Sequence, residues 1–274
     1  MSDKAARLRA LHKAPPILVM ANAWDAVSAR LVESEGFPAV ATTSAGVANS
    51  LGYADGGAVP PSEMILAIAR IARAVSVPVS ADIEHGYATT PDALADVVLK
   101  VIAAGAVGVN LEDHVPGMDV LEPVTVQCDK LMAVVKAAAK SGVPVVINAR
   151  TDVFLKSMGA PEGRLADAIA RGNAFLDAGA DCVFVPGVRD KATIASLVAG
   201  IKGPINILGT KGSPSIKELE ALGVARVSVG SGPHRATAAL MQSIAGELKS
   251  SGTYSYADTA MPPDMINGLM SKQA

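Results

Sequence analysis

Aromatic residues are scarce: one Trp, four Tyr and four Phe in 274 positions. Cysteine is nearly absent, and the pair Cys128 and Cys182 provides neither a disulfide framework nor a zinc-ligand spacing. Net charge is close to zero at −2, with no basic run and no interleaving of basic and aromatic residues. That argues against nucleic acid and anionic membrane as partners. No stretch approaches the roughly 18 uninterrupted apolar residues of a membrane span, and the polar start Met1-Ser-Asp-Lys does not resemble a secretory leader. These absences predict a soluble cytoplasmic protein. No Pro/Ser-rich linker divides the chain, so residues 1–274 are expected to form one domain.

What is present is half hydrophobic and rich in Ala and Gly, a composition suited to helices packed closely on strands. A polar helix over 1–16 ends at Pro15-Pro16. Strand-like runs follow at 17–21, 39–43, 77–81, 106–111, 143–149, 182–185, 205–208 and 225–229. Helical segments separate them, with Asp25, Ser62, Thr90 and Ser215 as expected caps. Residues 47–61 read as a long polar loop. Several units close on the same kind of stop, at 104–106, 178–180 and 222–224. Eight strands alternating with eight helices predict an α/β fold, a single (β/α)8 TIM-type barrel, with 251–274 as an extra helical tail. A doubly wound open sheet is the competing architecture.

The third strand ends in Asp82-Ile-Glu84-His85-Gly86-Tyr87, the fourth in Glu112-Asp113-His114 and the fifth in Arg150-Thr151-Asp152. An apolar run should not finish in carboxylates unless a cation waits there. In extended backbone Asp82 and Glu84 share a face, and with Glu112 they form an oxygen donor set suited to Mg²⁺. Solvated turn acids are the plainer alternative. Arg150 could clamp a substrate carboxylate or pair with Asp152 or Glu112. Thr43-Ser44-Ala45-Gly46 offers a hydroxyl and consecutive N–H groups as a carboxylate cradle. Trp24 is read as pocket wall or core. His85, His114 and His234 are read as rim residues or as acid/base candidates, and both cysteines as packing.

Asp82-Ile-Glu84-His85-Gly86-Tyr87 resembles the Asp-x-Asp-Thr-Gly-Tyr-Gly motif of the isocitrate lyase/phosphoenolpyruvate mutase superfamily. Leu111-Glu112-Asp113 resembles its Ile-Glu-Asp, and Asn148-Ala-Arg150-Thr151-Asp152 its Ala-Arg-Thr-Asp. Thr43 to Gly46 stand where the family has a Ser-Gly cradle, and Asp55 where it has a further acid near the metal. The resemblance implies Mg²⁺, with Mn²⁺ as an alternative, and a pyruvate-enolate-like intermediate. It makes Asp82 the main metal ligand, with Glu84, Glu112 and Asp55 acting directly or through water. It gives the substrate carboxylate to Ser44, Ala45, Gly46 and Arg150. It also implies a homo-oligomer, dimer or tetramer, with the C-terminal segment on a neighbouring subunit.

Where the carbon–carbon lyases carry a Lys-Lys/Arg-Cys-Gly-His loop, this chain reads His114-Val-Pro-Gly-Met-Asp119. That points to the branch without the cysteine, in which a late histidine helps fill the site, so Arg150, Glu112 and His234 are the expected catalytic groups. The expected activity is Mg²⁺-dependent cleavage of a C–C bond, by decarboxylation or retro-aldol reaction, in a small 2-oxo or 2-hydroxy dicarboxylic acid. A phosphonomutase or phosphonopyruvate hydrolase is the alternative, and a metabolite-binding barrel without catalysis a third reading.

Overall fold

Nine short parallel strands form one continuous sheet in the computed structural model, which describes residues 1–271. They are β1 (Leu18–Met20), β2 (Asn22–Ala23), β3 (Val40–Thr42), β4 (Val79–Asp82), β5 (Gly108–Glu112), β6 (Val146–Arg150), β7 (Cys182–Phe184), β8 (Ile205–Leu208) and β9 (Arg226–Ser228). Neighbours follow sequence order from β2 to β9, and β9 pairs with β1 through Leu18 and Arg226. β1 and β2 are two halves of one strand broken at Ala21. One half bonds to β9 and the other to β3, so the broken strand closes the ring. A doubly wound sheet would reverse its strand order partway, and this one does not. The fold is the expected α/β barrel of TIM type.

The helices are α1 (Ser2–Leu11), α2 (Ala26–Ser34), α3 (Ser44–Ser50), α4 (Pro61–Ala74), α5 (Pro91–Ala103), α6 (Val124–Ser141), α7 (Arg164–Asp177), α8 (Lys191–Gly200), α9 (Ile216–Ala221), α10 (Gly232–Ser250) and α11 (Pro263–Ser271). Asp25 caps α2 reciprocally with Ser28, and Thr90 caps α5 ahead of Pro91. Gly105 and Gly179 take φ near +103° after α5 and α7, where a side chain would be strained. Two expectations are corrected. Ser62 lies inside α4, because Pro61 takes the first helical position and Pro60 the cap. Residues 47–61 are not all loop, because α3 occupies 44–50 with Thr43 as its cap. That helix is too short and too rich in small residues to show a 3.6-residue period.

Strand residues divide by parity. Val79, Ala81, Val109, Leu111, Ile147 and Ala149 pack outward against the helices in the larger apolar cluster, and Val183, Ile205, Ile207 and Val227 do so in a second. A third cluster joins Ala5 and Leu8 of α1 to Leu18, Met20, Ala41 and Val146, so α1 plugs the N-terminal end of the barrel. The remaining inward positions are largely polar. α11 lies against α2, where Arg30 Nε donates to the Leu269 carbonyl at 2.8 Å. α10 buries no residue and exposes Leu240 and Met241 by 60% and 61%. No helix among the described residues is long and apolar enough to cross a membrane.

Candidate active site

The C-terminal strand ends converge on two adjoining cavities. The inner one, about 240 Å³, descends from Ser44, Asp55 and Arg150 past Asp82, Asn110 and Asn148 to Arg226 and Ser228. The outer one, about 450 Å³, shares Ser44, Asp55 and Arg150 and is walled by Glu84, His85, Glu112 and His114. Its roof is residues 114–121, folded back on themselves by a His114–Leu121 bridge and a Val115 N–H bond to Val120.

Asp82, the last residue of β4, is held at both carboxylate oxygens and still lines the inner cavity. Ser44 donates to its Oδ2 from N–H at 3.0 Å and from Oγ at 2.8 Å, and Asn110 Nδ2 donates to Oδ1 at 2.9 Å. The expected cradle is therefore mainly a clamp on Asp82. Gly46 N–H turns back to Thr43 Oγ1 at 3.5 Å, so among the three only the Ala45 N–H remains for a ligand. Gly46 does not line the inner cavity. A side chain there would strike Thr43 and Trp24.

Glu84 does not share a strand face with Asp82. β4 ends at Asp82, and Glu84 takes φ +52° in a left-handed turn completed by Gly86 at +93°. This non-glycine strain sits at the site itself. The turn sends Asp82 into the inner cavity and Glu84 into the outer one. Burial, then Asp82 and Asp55, push the Glu84 carboxyl up to about 7, against a 3.1 Å hydrogen bond from Tyr87 Oη. Burial also lowers His85, with Lys130 and His114 adding to the effect.

Arg150 ends β6 between two carboxylates. Its Nη1 lies 2.7 Å from Glu112 Oε2, and its Nε and Nη2 reach Asp152 at 2.6 and 2.8 Å. Burial opposes its charge, but Glu112 and Asp152 more than offset that and raise its pKa. Burial pushes Glu112 upward while Arg150 opposes the shift. Arg150 lines both cavities, and its remaining Nη protons have no hydrogen-bond partner among the described residues. Asp152 is steadied in turn, since its N–H donates to Asp113, which Arg171 pairs at 3.2 Å.

Trp24 and His234 stand outside the lining of both cavities. Their rings meet edge to face at 5.2 Å behind Gly46, and His234 Nδ1 is buried without a hydrogen-bond partner. Among the described residues no three Asp, Glu, His or Cys side chains converge tightly enough to ligate one ion directly. The donor set is nevertheless all oxygen and crowded with like charge, which suits a hard cation held by few carboxylates and several waters.

Sequence reasoning passed over Arg226 and His12. Arg226 points inward from β9, and His12, at the end of α1, lies beneath it. The available signal was a charge alternating with Val227 inside an apolar strand.

A (β/α)8 barrel with charged side chains gathered at the C-terminal strand ends is the architecture of an enzyme. The sequence profile of phosphoenolpyruvate phosphomutase matches residues 8–249, so the chain belongs to that family, within the isocitrate lyase/phosphoenolpyruvate mutase superfamily of lyases and mutases. A crystal structure from Burkholderia cenocepacia J2315, provisionally named a phosphonomutase, is 40% identical, with a TM-score of 0.85 over 90% of this chain and 100% of that one. An uncharacterized protein of Mycobacterium tuberculosis H37Rv is 38% identical over 232 residues, 82% of each chain. Oxaloacetate decarboxylase 2 of Pseudomonas fluorescens Pf0-1 is 30% identical over 215 residues, covering 76% of this chain and 71% of the relative.

Proposed function

We propose that this enzyme cleaves a C–C bond of a small 2-oxo or 2-hydroxy dicarboxylic acid through an enolate, with Mg²⁺ as its resident cation and Mn²⁺ as an alternative. The observation that carries this reading is the set of carboxylates where the two cavities meet, Asp82 from the inner one, Glu84 and Glu112 from the outer one and Asp55 from both, around Arg150, which is pinned with protons to spare. Likeness to an oxaloacetate decarboxylase supports it. Asp82 would hold the metal directly, with Glu84, Glu112 and Asp55 acting through its waters. When bound, the cation would supply positive charge at the developing enolate oxygen.

The chain's own residues do the rest. Ala45 N–H and the free Nη protons of Arg150 orient the substrate carboxylate. For decarboxylation of a 2-oxo acid, the electron pair of the breaking C–C bond passes into the enolate as CO2 leaves, and a proton then returns to C3 from the outer cavity, where His85 and His114 stand. In this reading Trp24 and His234 back the wall at Gly46 and do not touch reacting atoms. The exposed apolar residues of α10 support a homo-oligomer in which a second copy covers that helix or the 251–274 segment, of which 272–274 lie outside the described residues.

Calorimetric titration with oxalate, a planar mimic of the pyruvate enolate, tests the site in Mg²⁺, in EDTA and with Asp82→Ala. Binding that needs both metal and Asp82 is expected. Folded, Mg²⁺-loaded protein that ignores oxalate would sink the mechanism. The 40% identity to a provisional phosphonomutase favours P–C chemistry as the second reading. Sustained phosphate release from phosphonopyruvate, without cleavage of any oxo acid, would select it.

A further inference from the structure

The barrel interior carries a cation that the mechanism above does not use. Arg226 opens β9 with its side chain inside the barrel, 2% exposed. Its nearest partners are neutral and distant. Nε lies 3.3 Å from Ser228 Oγ, and Nη1 lies 3.4 Å from His12 Nε2. His12 Nδ1 sits 2.8 Å from the Leu8 carbonyl, so Nδ1 carries the proton and Nε2 is a lone-pair acceptor. Among the described residues no carboxylate pairs with Arg226, and its Nη2 reaches no acceptor. Burial draws its pKa down to about 10, which leaves it charged at neutral pH. A desolvated guanidinium normally has an anion beside it.

The space next to Arg226 is cavity. The inner chamber has opposite polarity at its two ends, with carboxylates at the mouth and this guanidinium at the floor. The wall between them is neutral, with Thr42, Ser80, Asn110 and Asn148 beside Ala41, Phe184 and Leu208. Asn206 Nδ2 lies 3.0 Å from Ser228 Oγ, Asn148 Nδ2 donates to Asn110 Oδ1 at 2.8 Å, and Asn110 continues to Asp82. TIM barrel interiors are usually filled by branched apolar side chains in layers. Here they give way to carboxamides and hydroxyls, which solvate an anion without neutralising the floor.

We propose that the floor of this cavity is a carboxylate subsite in which Arg226, flanked by Ser228, receives the distal carboxylate of a dicarboxylic acid whose reacting end lies at the mouth. This rests on the mouth reading above and extends it, making Arg226 the residue that selects dicarboxylates over monocarboxylates.

The test is calorimetric, on Mg²⁺-loaded wild type, Arg226→Gln and Arg226→Met. Oxalate reports the mouth. Matched acids report the floor: malate with 2-hydroxybutyrate, 2-oxoglutarate with 2-oxovalerate, and 2-oxoadipate with 2-oxohexanoate. Each pair differs by the distal carboxylate. In wild type, one chain length should show the dicarboxylate binding at least about tenfold tighter, as a charge-assisted pair allows. Both variants should lose that preference while oxalate affinity stays within about threefold. Arg226→Met guards against misfolding of the glutamine variant, because apolar replacement of a buried charge often preserves a fold. No preference in any wild-type pair, or a preference that survives in either variant, overturns the subsite. Failure of oxalate with the pair preference intact would instead overturn the mouth reading and leave the floor standing.

Discussion

The two faces of the same strands behave as two different molecules. Outward from β5, Val109 and Leu111 sit fully buried among helix side chains. Inward from the same strand, Asn110 bonds into a polar lattice of Asp82, Asn148 and Asn206 that reaches Arg226 through Ser228, and Glu112 pairs with Arg150. The outer layer is dry, close-packed and interchangeable in kind. The inner layer depends on particular donors and acceptors, each in one place. Burial alone therefore says little about role in this fold. Asn148 and Leu111 are 1% and 0% exposed, yet one belongs to the cavity wall and the other to the stabilising shell.

The contrast between the two faces is tested most strongly at Asp82. Asp82→Ala is expected to weaken oxalate binding by more than roughly 100-fold, since even outer-shell partners of a metal site cost that order. Its melting temperature should stay close to wild type. A collapse in thermal stability, with affinity retained by the folded fraction, would make Asp82 a structural residue and erase the distinction between the faces. Leu111→Ala tests the other face. Loss of its buried methyl groups should cost about 3–5 kcal/mol by urea denaturation, with the oxalate Kd unchanged. A change in Kd with little loss of stability would reverse the assignment.

His12 joins the two regions, because it ends the apolar plug and touches the buried guanidinium. Burial, with Arg226 adding, lowers its pKa from 6.5 to about 4, so the native state resists a proton that the unfolded chain accepts. The sign follows: the contribution is intact above pH 6.5 and is lost as pH falls toward 4, amounting to on the order of 3 kcal/mol when complete. Urea midpoints of wild type and His12→Gln, followed from pH 7.5 to 4.5, should therefore converge as pH falls. Parallel curves would show that His12 is already charged in the fold. The smallest effect lies at the rim, where Thr90 Oγ1 accepts from Ala93 N–H at 3.3 Å. Thr90→Ala should cost about 1 kcal/mol in the same assay and leave binding untouched.

Much of the site could be read before the fold. Asp82, Glu112 and Arg150 stood out because apolar runs ended in charge, and the barrel places all three at the rim. The pairing rule failed at Glu84, where the strand had already ended and a left-handed turn redirected the side chain. The cradle at Ser44 was legible as a cluster of donors but not as a clamp, because its acceptor, Asp82, lies 38 residues away. Arg150 offered a substrate clamp or an ion pair. The structure shows ion pairs with both Glu112 and Asp152, and still leaves protons for a ligand.

The strands, the helices other than α3, and their alternation follow from local sequence, because a period of two against one of 3.6 is a local property of side-chain placement. The sequence also marked the rim, because charge at the end of an apolar run is unfavourable without a partner. The closed fold settles which carboxylate meets which donor, that Trp24 and His234 meet edge to face outside the cavities, and that Arg226 has a cavity beside it instead of an anion. Those outcomes depend on ring closure, which brings residues far apart in the chain within hydrogen-bond distance, and no local periodicity encodes that.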